Sequence, residues 1–266
     1  MTRLFVKLSL PLFALALAGC NATMNAAGTP LADRPVADTP VSGKGEATAK
    51  VHAELGAAYL QLGNYAVALD EARVALQSQS NYAPAYHLMA LVYMAIDDAN
   101  AARENFLRAL EIAPNDPEFN NSFGWFQCIN GNVQDGLARL ASSARNPYYR
   151  TPTRPYTNAG LCHLRQNNDT AAEAEFRRAL QADPANRQAM YQLAGISYRR
   201  GAYNVASALL VDLHQQGEPT PQSVWLGLRT ARRLGNRDSE ASYAAQLRGR
   251  FADSPEYRTM IQGNYE

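Results

Sequence analysis

Among side chains able to do nucleophilic, redox or metal chemistry, the sequence offers three cysteines and four histidines. His52, His87, His163 and His214 fall at no metal-ligand spacing, and no glutamate or cysteine completes a set around them. The sequence holds no Gly-rich phosphate loop after a strand and no G-x-S-x-G nucleophile elbow. Such histidines read as surface or satisfied core residues, so no enzymatic activity, metal, cofactor or small-molecule substrate is expected. A net charge of +1 lacks the basic excess that a general nucleic-acid role would need. What remains is Cys20, Cys128 and Cys162. Cys128 closes the stretch NNSFGWFQC, Asn120 to Cys128, which packs two asparagines and three aromatics into a region otherwise rich in Ala, Leu and charge.

Cys20 ends a leader. MTRLFVKLSLPLFALALAGC has a basic start (Arg3, Lys7), an apolar run from Leu8 to Ala18 too short to span a bilayer, and small residues before the cysteine. Leu17-Ala18-Gly19-Cys20 resembles a bacterial lipobox. That resemblance implies removal of residues 1–19 and attachment of several acyl chains to Cys20, past the marginal regime of a single chain. Asn21, rather than Asp, follows the cysteine, so the implied address is the outer membrane, facing the periplasm. From Cys20 to residue 45 the chain is rich in Ala, Thr, Pro and Gly without helical or strand period. It reads as a disordered tether with a coil span of roughly 25–30 Å.

The elements that must position the other two cysteines emerge from spacing. Small residues recur at Gly56, Ala90 and Gly124, then at Gly160, Ala194 and roughly Leu228. Around them stand Tyr59, Ala68 and Ala75; Tyr93, Ala102, Phe106, Ala109 and Pro114; and Ala172, Phe176, Ala179 and Pro184. This is similar to the tetratricopeptide (TPR) pattern. The fold expected is all-α, a right-handed superhelix of about six TPR helix pairs. The TPR domain covers residues 46–266, with repeats near 49–82, 83–116, 117–152, 153–186, 187–220 and 221–255. Small residues let the two helices of a repeat approach, aromatics fill the space to the next pair, and prolines punctuate the repeat ends. Copies three and four are spaced wider than the rest, with NPYYRTPTRPY between them.

If each repeat starts seven residues before its small position, Cys128 holds position 12 of the third A helix and Cys162 position 10 of the fourth. Two positions differ by about 200° around a helix, so these side chains on neighbouring A helices can point at each other. In an oxidising compartment a Cys128–Cys162 disulfide is expected, contributing about 3.5–4 kcal/mol by loop entropy. The alternative is two free buried thiols, which intact mass after alkylation without reduction would reveal.

The same numbering reads a concave groove. Apolar side chains line the early repeats: Tyr59, Leu60, Leu91, Met94, Trp125, Leu161 and Leu164. Position 13 turns basic in the later ones, giving Arg165, Arg199 and Arg233 as an arginine ladder. Single residues of these sets also fit core packing or solvated charge. Such a groove suits an amphipathic helix or extended apolar peptide, with arginines for acidic residues on the same partner. It lacks the carboxylate clamp of chaperone-binding TPR proteins.

Lipobox, tether, repeats and NNSFGWFQC together resemble the type IV pilus biogenesis/stability lipoproteins of the PilF/PilW type, the pilotins of the pilus secretin. Their hallmark is an Asn-Asn-aromatic-Gly-Trp-Phe-x-Cys segment. Here Asn120, Asn121, Phe123, Gly124, Trp125, Phe126 and Cys128 fill it, with Ser122 a departure, and Cys162 in NAGLCHL matches too. The resemblance implies an outer-membrane lipoprotein that helps the secretin reach the outer membrane and multimerise, allowing pilus extension and twitching motility. The competing class is a generic periplasmic TPR adaptor lipoprotein for another cell-envelope assembly machine.

Overall fold

The computed structural model describes residues 33–265. Cys20 and the leader lie outside the described residues, as does about half of the expected tether, up to residue 32. Among the described residues there are thirteen α-helices, one 3-10 turn (Val36–Asp38) and no strand. Six pairs follow one another: α1 Lys44–Gln61 with α2 Tyr65–Ser78, α3 Ala83–Ala95 with α4 Ala99–Ile112, and α5 Pro117–Ile129 with α6 Val133–Arg145. Then come α7 Thr153–Arg165 with α8 Asp169–Ala182, α9 Arg187–Arg199 with α10 Tyr203–Gln215, and α11 Pro221–Leu234 with α12 Arg237–Arg250. A short α13, Pro255–Ile261, closes the stack beyond the sixth pair. The chain is a TPR superhelix.

The local code that makes each pair repeats closely. Seven residues after the small position, the A-to-B turn places a residue in the left-handed region: Gly63, Asp97, Gly131, Asn167, Gly201 and Gly235, with φ between 57° and 88°. Where glycine is missing, Asp and Asn stand in, the side chains that tolerate this region best. The next residue is the N-cap of helix B; Asp98, Asn168 and Asn236 each accept the backbone N–H three residues on. Pro84, Pro117, Pro221 and Pro255 sit in first turns, where a missing N–H costs nothing.

Close helix approach explains the small positions. A Cβ on Gly124 would lie 2.8 Å from the Gly136 carbonyl oxygen, and one on Gly136 would lie 2.6 Å from that of Gly124. On Gly160 it would strike the Phe176 ring at 2.6 Å. The sixth copy inverts the order. Leu228 holds the small position and the glycine stands one residue earlier, where a Cβ on Gly227 would meet Tyr243 at 2.6 Å. The core consists of clusters strung along the stack, the largest built on Phe106, Phe119, Phe123 and Phe126.

The disordered-tether expectation is corrected for its last part. Residues 33–39 pack against the third repeat instead of hanging free. The Val36 N–H donates to Asp116 Oδ2 at 2.7 Å, Asn146 Nδ2 donates to the Asp33 carbonyl at 2.8 Å, and Arg150 pairs with Asp38 at 2.9 Å. Pro35 is buried and Val36 joins the phenylalanine cluster. Low apolar content argued for disorder, but a few well-placed polar partners outweigh it here.

Candidate partner-binding site

Cys128 and Cys162 are joined in a disulfide, with Cα atoms 5.6 Å apart and an S–S distance of 2.14 Å. Both are buried, among Leu140 and Ala159, with Trp125 against the cluster. Position 12 of one A helix meets position 10 of the next at other junctions as well. Leu60 and Val92 share a cluster, as do Met94 and Phe126, and Leu164 and Ile196. The disulfide replaces an apolar pair at the one junction where the spacing is stretched.

Around it, the asparagines of NNSFGWFQC tie helices together. Asn120 Nδ2 donates to the carbonyls of Pro114 and Asp116 at 2.8 and 2.9 Å, while its oxygen accepts from Arg139. Asn121 accepts from Asn158 of α7 at 3.0 Å. The widened connection is locked to the same helix: the Tyr149 hydroxyl donates to Glu118 at 2.8 Å, and Arg154 pairs with Glu118 at 2.7 Å. Burial, then the Glu118 charge, pushes the Tyr149 phenol up. Asp116 caps α5 by accepting the N–H groups of Glu118 and Phe119. Burial raises its carboxyl even though these bonds and that from Val36 act the other way.

The expected groove residues Tyr59, Leu60, Leu91, Met94, Trp125, Leu161 and Leu164 are all half-buried, each packed against a core cluster. Each keeps part of its apolar surface outside the core. The three arginines are placed at the ends of their A helices, but they do not form one free ladder. Arg199 clasps both Asp169 oxygens at 2.7 and 3.0 Å, which holds that carboxyl below its usual range. Arg233 Nε donates to the Tyr203 hydroxyl at 2.8 Å. Asp169 and Tyr203 occupy the same place, position 17, in their repeats. Arg165 would need such a partner at Val133, which has no polar atom to offer. It instead borders a depression with Met94, Asp97, Phe126, Ile129 and Asn130.

Sequence reasoning missed a second apolar surface. In α3, α5, α7, α9 and α11, position 3 is filled by Ala85, Phe119, Pro155, Ala189 and Ser223, all buried. Position 10 is filled by Val92, Phe126, Cys162, Ile196 and Thr230, buried as well. The preceding repeat covers them. No pair precedes α1 among the described residues, so Val51 is 61% exposed at position 3 and Leu55 41% at position 7. Ala58 is exposed at position 10, and Leu62 continues the stripe at 73% exposure. The clue was available, because the first copy carries seam residues without a predecessor. Burying a Val or Leu side chain fully contributes about 1.5–3 kcal/mol, so this flank is well suited to an incoming helix.

Similarity to known proteins agrees with this architecture. The tetratricopeptide repeat family model matches residues 83–116 and 153–186. The chain is 26% identical to the type IV pilus assembly protein PilF of Pseudomonas aeruginosa over 205 residues, covering 77% of this chain and 81% of that one. Its fold matches the crystal structure of PilW, described as a widely conserved type IV pilus biogenesis factor. There the TM-score is 0.72 and the identity 28%, covering 80% of this chain and 98% of that one. These likenesses support a place for the chain among the TPR proteins of type IV pilus biogenesis. The Pseudomonas aeruginosa PilF structure matches too, with TM-score 0.73 and 25% identity over 82% of this chain and 99% of that one. Likeness of the chain to the Cut9–Hcn1 complex of the APC/C, at 12% identity and TM-score 0.66, reflects the shared TPR fold alone. TPR proteins of this kind are scaffolds that mediate protein–protein contacts within the pilus machinery.

Proposed function

We propose that the protein is an outer-membrane lipoprotein, anchored through Cys20 and facing the periplasm, that acts as a pilotin for the type IV pilus secretin. It binds a secretin segment, delivers it to the outer membrane and promotes its assembly into a multimeric ring, so that pili extend and twitching motility follows. It performs no reaction of its own. The observation that carries this reading is the pilus-biogenesis family membership combined with an apolar surface at the start of the stack. That surface consists of Val51, Leu55 and Leu62 on the open flank of α1, continued by the half-buried Tyr59, Leu60, Leu91 and Met94. An amphipathic helix laid on it would repeat the contacts that each A helix makes with its predecessor.

Deleting the gene tests the reading. SDS-resistant secretin multimers are expected to disappear from the outer-membrane fraction, and their unchanged presence there would refute the pilotin role. Leu55→Arg is expected to abolish secretin capture while leaving the helical circular dichroism spectrum intact.

A further inference from the structure

The segment Asp33–Thr39 makes polar contacts that cross about 80 to 110 residues of sequence, and these long-range ties reach the same place. Asp116 and Asn115 belong to the connection between α4 and α5; Asn146, Tyr148 and Arg150 belong to that between α6 and α7. A shorter-range tie comes from Lys50, whose Nζ donates to the Ala37 carbonyl at 3.1 Å. The Arg34 guanidinium lies 5.1 Å from the Tyr148 ring centre, within range of a cation–π contact. Asp116 is the keystone: buried, it caps α5 with one carboxylate oxygen and holds the Val36 N–H with the other.

In a stack of antiparallel pairs, every B-to-A connection lies on one edge and every A-to-B turn on the opposite edge. The strap is therefore fastened to the B-to-A edge, two repeats along from the helix into which it runs. About a dozen residues separate Asp33 from Cys20, and they can span no more than about 45 Å when fully extended. Were the chain first held at Lys44, the leash would reach about 80 Å and would end at the first repeat.

We infer that the Asp33–Thr39 strap hangs the body from its third repeat, so that the B-to-A edge around residues 146–152 faces the bilayer surface. The leash is thereby shortened by nearly half. The open flank of α1 is displaced from the attachment point, and the A-to-B turns point away from the membrane. This rests on the lipid anchor at Cys20 proposed above. The membrane thus becomes a partner of one defined edge, and an incoming polypeptide finds the first repeat in a set orientation.

The test uses the full lipidated protein on phosphatidylethanolamine/phosphatidylglycerol vesicles doped with a headgroup nitroxide lipid. Single fluorophores are placed through Thr151→Cys on the proposed membrane edge, Asn81→Cys on the same edge one junction from the start, and Gln134→Cys on the opposite edge. Quenching is expected to be strongest at Thr151, weaker at Asn81 and weakest at Gln134. Val36→Pro with Asp33→Gly removes the Val36 N–H and the Asp33 carboxylate from the strap, together with the Val36 side chain that packs on the phenylalanine cluster, and changes no α-helical residue. This double variant is expected to lose the Thr151 quenching and gain quenching at Asn81. Equal quenching at the three sites in a protein that floats with the vesicles overturns the orientation and leaves the anchor standing. A ranking that survives strap release overturns it equally. A protein that does not float with the vesicles removes the lipid reading and the orientation together.

Discussion

Arg199 reaches back from the end of α9 to grip both carboxylate oxygens of Asp169 at the start of α8, at 2.7 and 3.0 Å. The neighbouring Arg200 bonds Glu173 and Thr170 of the same helix. Arg199, which the sequence offers in a ladder for acidic partners, is thus engaged in bracing one repeat to the next. Because the Arg199 pair is about half exposed on the arginine side, Arg199→Ala is expected to cost no more than about 1 kcal/mol. The loss should shrink further in high salt, as urea unfolding at two ionic strengths would show.

The Cys128–Cys162 bond closes a loop of 34 residues across the stretched third junction. A Cys128→Ala, Cys162→Ala double variant should lose about 3.5–4 kcal/mol by chain entropy. The loss should concentrate in α5 to α8, since each repeat contacts only its neighbours. Hydrogen exchange read helix by helix, without reductant, is expected to accelerate there while α11 and α12 are spared.

Gly136→Ala and Gly249→Ala should move stability in opposite directions. An added methyl at Gly136 meets the Gly124 carbonyl at 2.6 Å and Cys128 Sγ at 2.8 Å, forcing α5 and α6 apart. The overpacking cost is about 1–3 kcal/mol. Gly249, in the last turn of α12, has nothing within 4 Å, so alanine there should stabilise by about 0.4–1 kcal/mol. Thermal midpoints of the two variants check both signs.

His87 lies buried between Phe119 and Phe106, with ring centres at 4.7 and 6.0 Å, and its Nε2 has no hydrogen-bond partner among the described residues. Desolvation pushes its pKa down to about 4, although the Glu118 charge pulls the other way. The unfolded chain, titrating near the ordinary 6.5, binds more protons between these limits. Stability from this site is therefore complete above about pH 6.5 and falls as pH drops toward 4. His87→Leu is expected to flatten that acid limb, measured as urea midpoints at pH 4.5 and pH 7.

The helix pairs were legible because TPR packing is coded locally. Each copy carries its own left-handed turn residue such as Gly131 or Asn167, glycines such as Gly124 and Gly160 mark close approach, and Asp98, Asn168 and Asn236 cap their B helices. The seam logic that placed Cys128 opposite Cys162 needed only helical angles. What resisted reading depended on partners far away in the chain. The fate of each arginine turns on position 17 of the previous repeat, which is Asp169 for Arg199, Tyr203 for Arg233 and Val133 for Arg165. The strap looks like linker by composition, and it is ordered by distant partners such as Asp116, which accepts the Val36 N–H. The exposure of Val51 and Leu55 is an end effect invisible to a pattern that treats all copies alike.

Under the proposed pilotin role, the start of this stack receives the pilus secretin. A photoreactive amino acid placed in living cells at Leu55, with a matched control at the equally exposed Val211 on α10, tests it most directly. A secretin adduct is expected from Leu55 and none from Val211. A secretin adduct from Val211 alone, or none from Leu55 in cells that assemble pili, would contradict that role.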